Sequence, residues 1–384
     1  MLTSPDHPDQ TAALMAESLR RFIERRVTPD YAQWEGARMV PPSVWQEMGA
    51  AGFLCVDVPE EAGGPGGDFD QAAQVLSALS HAGATGLAAG VSVHSDIVAP
   101  YLVNHATPAQ QERWLPGMAS GEVIGAIAMT EPGTGSDLAA IRTRARRSES
   151  GWVLSGQKTF ISNGGQAGMV IVAASTDPDA GARGVSLFLV DTTLPGFRRG
   201  RVLEKIGLHC QDTAELFFDD IALPPEALLG EEGRGFATLM GELPRERLVI
   251  AIMAVAAARG VLEETVRHVT ERHAFGQPLA RLQNTRFTLA ELSADIAAGE
   301  ALVAQCTAQL RAGRLSTARA SEAKLWASEL QGRVADRCLQ LFGGYGYMAE
   351  YPVARAFVDA RVQRIYGGTS EIMKELIARD LLGR

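Results

Sequence analysis

Trp152 to Ser162, WVLSGQKTFIS, is where the chain changes its period. Apolar and polar residues alternate on either side of Ser155-Gly156, the two-residue repeat of half-buried β-structure, so the segment predicts two short strands joined there. Met169 to Ser175, Val185 to Val190 and Thr213 to Phe218 are β-branched or aromatic runs bounded by Gly, Pro and Asp, and they read as further strands. In both directions outward the period becomes helical. From about Ala12 to Gln111 apolar residues recur at three and four spacing, interrupted at Gly63 to Gly67. Beyond Gly235, Leu289, Leu292, Ile296 and Val303 share one helical face, and Ser316 is placed to cap the Ala-rich stretch after it. The expected class is therefore α+β and mainly α, with a helical domain at 1–124, a small antiparallel β-domain at 125–235 and a helical bundle at 236–384.

The chain has 384 residues, 46% of them hydrophobic, enough for two or three cores and incompatible with a disordered polymer. Lys and Arg number 36 against 45 Asp and Glu, a net charge of −9 with no local basic patch, so nucleic acid is not an expected partner. Cys55, Cys210, Cys306 and Cys338 have neither the paired spacing of a zinc site nor the density of a disulfide framework. No metal is expected, and a reducing cytoplasm fits. Met1 to Gln10 is polar and carries Asp6 and Asp9, unlike a signal or transit peptide; Ile250 to Ala258 ends at Arg259-Gly260, too short to cross a bilayer. These features predict a soluble cytoplasmic protein without membrane insertion.

Four stretches suit no regular element: Thr130 to Asp137 (TEPGTGSD), Ser162 to Gly165 (SNGG), Phe342 to Gly346 (FGGYG) and Tyr366 to Glu371 (YGGTSE). Each can expose backbone N–H groups, and glycine lets the main chain approach a phosphate or a heterocycle edge closely. Taken singly, each also reads as a plain turn. Gly344 to Ala349 matches a loose dinucleotide-binding pattern, but it follows the helical stretch Asp336 to Phe342 where that pattern requires a strand. A P-loop, a GxSxG elbow and an HExxH motif are all absent.

The segments AMTEPGTGSD, GQKTFISNGG, ERHAFGQPLARLQ, LFGGYGYMAEYPVARAFVDAR and RIYGGTSEIMKELIARDLL occur in an order that resembles the acyl-CoA dehydrogenase family over nearly the whole chain. IGLHCQDTAELFFDDIALPPEALLGEEGRGF and ELPRERL are most similar to the long-chain branch, with the isovaleryl-CoA branch next. The resemblance implies an N-terminal helical domain, a middle β-domain and a C-terminal four-helix bundle. It also implies α,β-dehydrogenation of a medium-to-long or branched acyl-CoA to the trans-2-enoyl-CoA, with FAD as cofactor. An electron-transfer flavoprotein would take the electrons, and the chain would form a homotetramer, a dimer of dimers.

Carried over residue by residue, Ile127, Ala128, Met129 and Thr130 would run beside the flavin ring edge, and Gly135 and Ser136 would meet the pyrophosphate or the CoA. Phe160 would cover the ring, with Ile161 beside it and Ser162 bonding near N5. Arg272, Phe275 and Gln283 would reach the FAD of a neighbouring subunit, and Gln340, Phe342, Gly343, Gly344, Thr369, Ser370 and Glu371 would complete that shared site. Arg247, Gly367, Gly368 and Ser136 would contact substrate. Many relatives carry the catalytic glutamate in a Tyr-Glu-Gly-Thr-Ser segment; here the segment reads Tyr366-Gly367-Gly368-Thr369-Ser370, and glycine cannot remove a proton.

Glu246, in LPRERL, stands where the long-chain and isovaleryl branches place theirs. On the residues alone, an acid just after Pro244 also reads as a first-turn residue favoured by the helix dipole. Glu131 belongs to a loop needed at the flavin edge, and Glu371 lies beyond the vacated position. Burial under substrate should raise the glutamate pKa, and the backbone N–H of Gly367 would help hold the thioester oxygen. Two other readings share the fold: a flavin oxidase or enoyl reductase, and a non-catalytic CoA-binding paralogue, which the retained Glu246 opposes.

Overall fold

The computed structural model describes residues 8–383, so most of the Met1 to Gln10 reading, and Arg384, lie outside it. Helix accounts for 59% and strand for 16%, the mainly-α composition expected. The N-terminal helices are α1 (Pro8–Phe22), α2 (Tyr31–Ala37), α3 (Pro42–Ala50), α4 (Phe69–His81), α5 (Thr85–Val91), α6 (Ala99–His105) and α7 (Pro108–Ala119). Two begin with reciprocal caps, Asp68 with Gln71 on α4 and Thr107 with Gln110 on α7, each satisfying N–H groups that the first turn leaves unpaired. The helices α5 and α6 are joined without a break by a π-helical segment, Ser92–Val98. The resulting rod, Thr85–His105, is long and apolar enough to cross a membrane by length and composition; 83% of its apolar window is buried inside the protein, as in the core helix of a globular domain.

The middle strands are β1 (Gly125–Ala128), β2 (Arg144–Ser148), β3 (Gly151–Ser162), β4 (Met169–Ser175), β5 (Val185–Asp191), β6 (Phe197–Val202), β7 (Thr213–Leu223) and β8 (Leu228–Leu229). They form one sheet in the order β6-β7-β3-β2-β4-β5-β8, with β1 added on β4. Pairing is antiparallel except that β1 and β2 run parallel to β4. The segment expected to be two strands is the single strand β3. A bulge at Ser155-Gly156 replaces the expected turn: Gly156 sits at φ +147°, where a Cβ would stand 2.8 Å from Thr143 Cα.

The C-terminal part opens with α8 (Gly235–Glu271) and the hairpin β9 (His273–Ala274) and β10 (Gln277–Pro278). It continues with α9 (Gln283–Arg311), α10 (Thr317–Phe342), α11 (Pro352–Asp359) and α12 (Ser370–Leu381). Helices α8, α9, α10 and α12 pack as a bundle, and Ser316 caps α10 by accepting from Arg319 N at 3.1 Å. The helix carrying Glu246 does not start at Pro244. It starts at Gly235 and runs through the proline, which has no N–H to give the Met240 carbonyl. Leu248 to Val255 are buried against α4, α9 and α10 in one apolar core.

Candidate functional site

Because Glu246 lies in the interior of α8, the helix dipole gives no reason for an acid there. Its side chain is enclosed, with the residue 4% exposed, and Oε1 accepts a hydrogen bond from the buried Tyr101 hydroxyl at 2.9 Å. Burial pushes the carboxyl from an ordinary 4.5 up to about 7, against the Tyr101 hydrogen bond and the Arg247 charge and with an added push from Glu242. Glu242, one turn earlier, accepts from His105 Nε2 at 2.8 Å and Asn104 Nδ2 at 3.0 Å.

One turn beyond Glu246, Ile250 meets the loop of Gly367 and Gly368. A Cβ on Gly367 would stand 2.4 Å from Ile250 Cδ1, and the residue sits at φ +63°, where a side chain is strained. The loop is held from below by two buried cations. Arg247 Nε donates to the Gly367 carbonyl at 3.4 Å and Lys324 Nζ to the Gly368 carbonyl at 2.7 Å. Burial, then the neighbouring Arg247 charge, lowers Lys324 to about 8. Arg247, expected at substrate, is turned toward the loop and toward Ser321, and Gly367 and Gly368 lie opposite α8.

A second group gathers at the end of β1. Met129 and Thr130 leave the strand beside β3, tied by Thr159 N donating to the Thr130 carbonyl at 2.9 Å. Phe160 emerges there, 67% exposed and at φ +59°, a conformation that a bulky residue adopts only where the surroundings impose it. Ala128 and Ile161 point the other way, into the sheet core, and Ile127 is partly buried against the N-terminal helices. Through Ala128 and Ile161 only the backbone can meet a ligand. Ser162 is half-buried; Gly135 and Ser136 lie in the exposed loop.

Glu131 is not a spare carboxylate. Oε1 meets Lys158 Nζ at 2.8 Å, and the two oxygens accept from Thr143 N and Arg142 N. Burial would raise Glu131, but Lys158 and the two N–H groups outweigh it and hold the carboxyl below its ordinary range. Glu371 is exposed in the first turn of α12.

A third group lies at the far end of the bundle, where Arg272, Gln340, Phe342, Gly343 and Gly344 line an open depression of about 500 Å³. Arg272 leans over Tyr345 at 5.4 Å, and Phe275 protrudes from the β9–β10 turn, 92% exposed at φ +53°. Gln283, on the first turn of α9, is exposed. Phe342 is different: its ring stacks on His268 at 3.9 Å and is buried. Thr369 caps α12 through Ile372 N. Ser370 is turned inward and donates to Glu329 Oε1 at 3.1 Å, so its hydroxyl is engaged within the chain.

Tyr101, Lys158 and Lys324 were not picked out from the sequence. Lys324 left a trace, four residues after Ala320 and three before Ala327 on the buried face of α10. Tyr101 in APYLVNH left none, because a buried tyrosine reads as core.

Sequence profiles of the acyl-CoA dehydrogenase family match in three pieces: the N-terminal domain at 9–122, the middle domain at 126–221 and the C-terminal domain at 233–382. The mitochondrial long-chain specific acyl-CoA dehydrogenase of Sus scrofa is 50% identical over 371 residues, 96% of this chain and 86% of that protein. The crystal structure of an acyl-CoA dehydrogenase from Geobacillus kaustophilus is similar at a TM-score of 0.95 and 44% identity, covering 99% of this chain and 100% of that one. A glutaryl-CoA dehydrogenase from Mycobacterium smegmatis, solved in complex with FADH2, has a TM-score of 0.92 at 30% identity, covering 98% and 95%.

Proposed function

The chain belongs to the acyl-CoA dehydrogenase family, and from that premise we propose that Glu246 is the base that removes the α-proton of its acyl-CoA substrate. The observation that carries this reading is the common wall at α8. The vacated Gly367 position abuts Ile250, one turn from a buried carboxyl that burial has made a better base than an ordinary glutamate. Tyr101 occupies Oε1, leaving Oε2 for the proton. Arg247 and Lys324 fix the carbonyls of Gly367 and Gly368, so the loop facing the thioester is held without a side chain.

Acyl-CoA dehydrogenases are FAD-dependent, and the residues of this chain fit that group. Gly135 and Gly344 have no positive φ, and a Cβ on either would meet nothing of this chain, so both leave room for a close approach by a group from outside it. Phe160 and Phe275 are bare aromatic faces held in strained backbone. When bound, FAD would accept the hydride from the substrate β-carbon. Met129, Thr130, Gly135, Phe160 and Ser162 would hold it from one subunit. Arg272, Phe275, Gln283, Gln340, Gly343 and Gly344 would hold it from another, which supports at least a dimer, the unit from which the proposed homotetramer would be built.

The substrate we propose is a medium-to-long or methyl-branched acyl-CoA, the acceptor an electron-transfer flavoprotein and the compartment the cytoplasm. All four cysteines are free and buried, as a reducing compartment permits. The test is anaerobic addition of straight and branched acyl-CoAs to the FAD-loaded protein while flavin absorbance is followed. Bleaching by longer or branched esters is expected. Colourless protein that gains no flavin spectrum with FAD would end the cofactor assignment, and a clear preference for butyryl-CoA would end the chain-length assignment.

A further inference from the structure

Besides the contact of Arg245 with Asp96, the rod α5–α6 and helix α8 meet at two polar levels one helical turn apart. On the inner level the Tyr101 hydroxyl donates to Glu246 Oε1 at 2.9 Å; on the rim His105 Nε2 and Asn104 Nδ2 meet Glu242 Oε1 at 2.8 and 3.0 Å. Tyr101 and His105 are four apart on one helix and Glu242 and Glu246 four apart on the other, so each helix presents both its members on one face. We propose that Tyr101 is the positioning residue of the base: its hydroxyl fixes which Glu246 oxygen is free and favours the charged carboxylate, while Glu242 opposes that charge from the rim. This rests on the reading of Glu246 as the base.

Packing alone does not account for a tyrosine here. The side chain is fully buried, and a buried hydroxyl costs free energy unless it finds a partner; its partner is the Glu246 carboxylate. Burial and the adjacent Glu246 charge both hold the phenol well above its ordinary pKa, so it stays a donor throughout any practicable assay range. The charged groups acting on Glu246 come from both packed elements. From the rod there is the Tyr101 dipole; from α8 there are Glu242, which disfavours a second negative charge, and Arg247, which favours it while bonded to Gly367. His105 acts at one remove, through Glu242. Tyr101 thus opposes the push that burial and Glu242 exert, and removing either member should move the ionisation of the base in opposite directions.

The experiment is rapid-mixing flavin reduction by a saturating acyl-CoA, done anaerobically on the FAD-loaded enzyme from about pH 5.5 to 9.5. Tyr101→Phe should move the acid limb of the rate up by about one to two pH units, so the rate at neutral pH falls roughly tenfold or more and is regained at high pH. Glu242→Gln should move the same limb down. A Tyr101→Phe limb that stays in place, or a rate lowered by one factor at every pH, overturns the proposal. If the Phe variant does not retain FAD, 3-fluorotyrosine placed at 101 keeps the ring and strengthens the donor; its limb should move down, and an unmoved limb again overturns the proposal. Glu246→Gln, run alongside, separates the two readings: persistent flavin reduction there would refute the base, whereas its loss with an unmoved Tyr101→Phe limb would refute only the positioning role.

Discussion

Replacing Glu246 with glutamine changes two quantities, rate and stability, by different routes. Flavin reduction should fall by several orders of magnitude, beyond the roughly 10²–10⁴-fold usual for general base catalysis, because the amide has no basic lone pair to offer the α-proton. Stability should move the other way, and only above acid pH. The folded carboxyl, at about 7, binds its proton more tightly than the unfolded one at 4.5. The native state therefore has its full stability below the lower value and loses some of it as pH rises through the higher one. At about 1.4 kcal/mol per tenfold change in the equilibrium, the loss at pH 8 is on the order of 3 kcal/mol. Glutamine carries no such dependence. Its buried NH2 group costs about 1–3 kcal/mol if unpaired, but equally at every pH. The diagnostic is thus the change in the variant-minus-wild-type difference between about pH 5 and pH 8, read by denaturant unfolding with FAD content as the control. Near-normal turnover would remove Glu246 from the chemistry, and a stability difference that does not vary with pH would contradict its buried, proton-favouring environment.

Lys158→Met leaves Glu131 buried without its cation, so stability should drop by about 3–5 kcal/mol, with FAD retention falling too; unchanged melting would show that the pair contributes little. Moving the base back with Glu246→Gly and Gly367→Glu should give partial rescue at most, because a side chain at 367 is strained at φ +63° and must displace the Ile250 Cδ1 methyl; adding Ile250→Ala should raise flavin reduction further, and full rescue without it would contradict that account. Arg272→Ala should make FAD retention depend on protein concentration in light scattering and absorbance run together. A monomer with stoichiometric FAD would refute the shared site.

How much of this the sequence disclosed depends on whether a residue's signal was local. Met169 to Ser175 was read with the boundaries that β4 has, because an unbroken apolar run between Gly and Asp has one economical outcome in a sheet covered on both faces. Gly156 was ambiguous: a turn and a bulge both want glycine, and only the position of Thr143 decides between them. Pro244 misled more seriously. Proline favours a first turn, which left a dipole role open for Glu246 as an alternative; tertiary packing of α8 overrode the preference, and with it that alternative. The TEPGTGSD, SNGG and YGGTSE segments were visible as glycine-bearing strings, yet the inward aim of Ala128, Ile161 and Ser370 was not, since the face of a strand or helix end is fixed by pairing and not by composition. Tyr101 was out of reach, because its meaning lies in a contact with a residue far along the chain.

The rod from Thr85 to His105 touches, in succession, the SNGG turn where Asn163 bonds the Gly90 carbonyl, the start of β1 where Gly125 N bonds His94, the Arg245 guanidinium at the Asp96 carbonyl, and Glu246 at Tyr101. These contacts straddle the π-helical segment, in which the turn is wider than the α-helical one. Each residue of an α-helix advances about 100° around the axis, so deleting one between Ser92 and Val98 would swing Tyr101 by about that angle relative to Gly90. The segment acts as a phase-setter: it decides not how strong the contacts are but which side chains are aimed at them. Evolution can vary the letters of this stretch one at a time and lose a contact; varying its length by a single residue would put Glu246 and the start of β1 out of step with each other, a fault that a single later substitution along the rod would not repair.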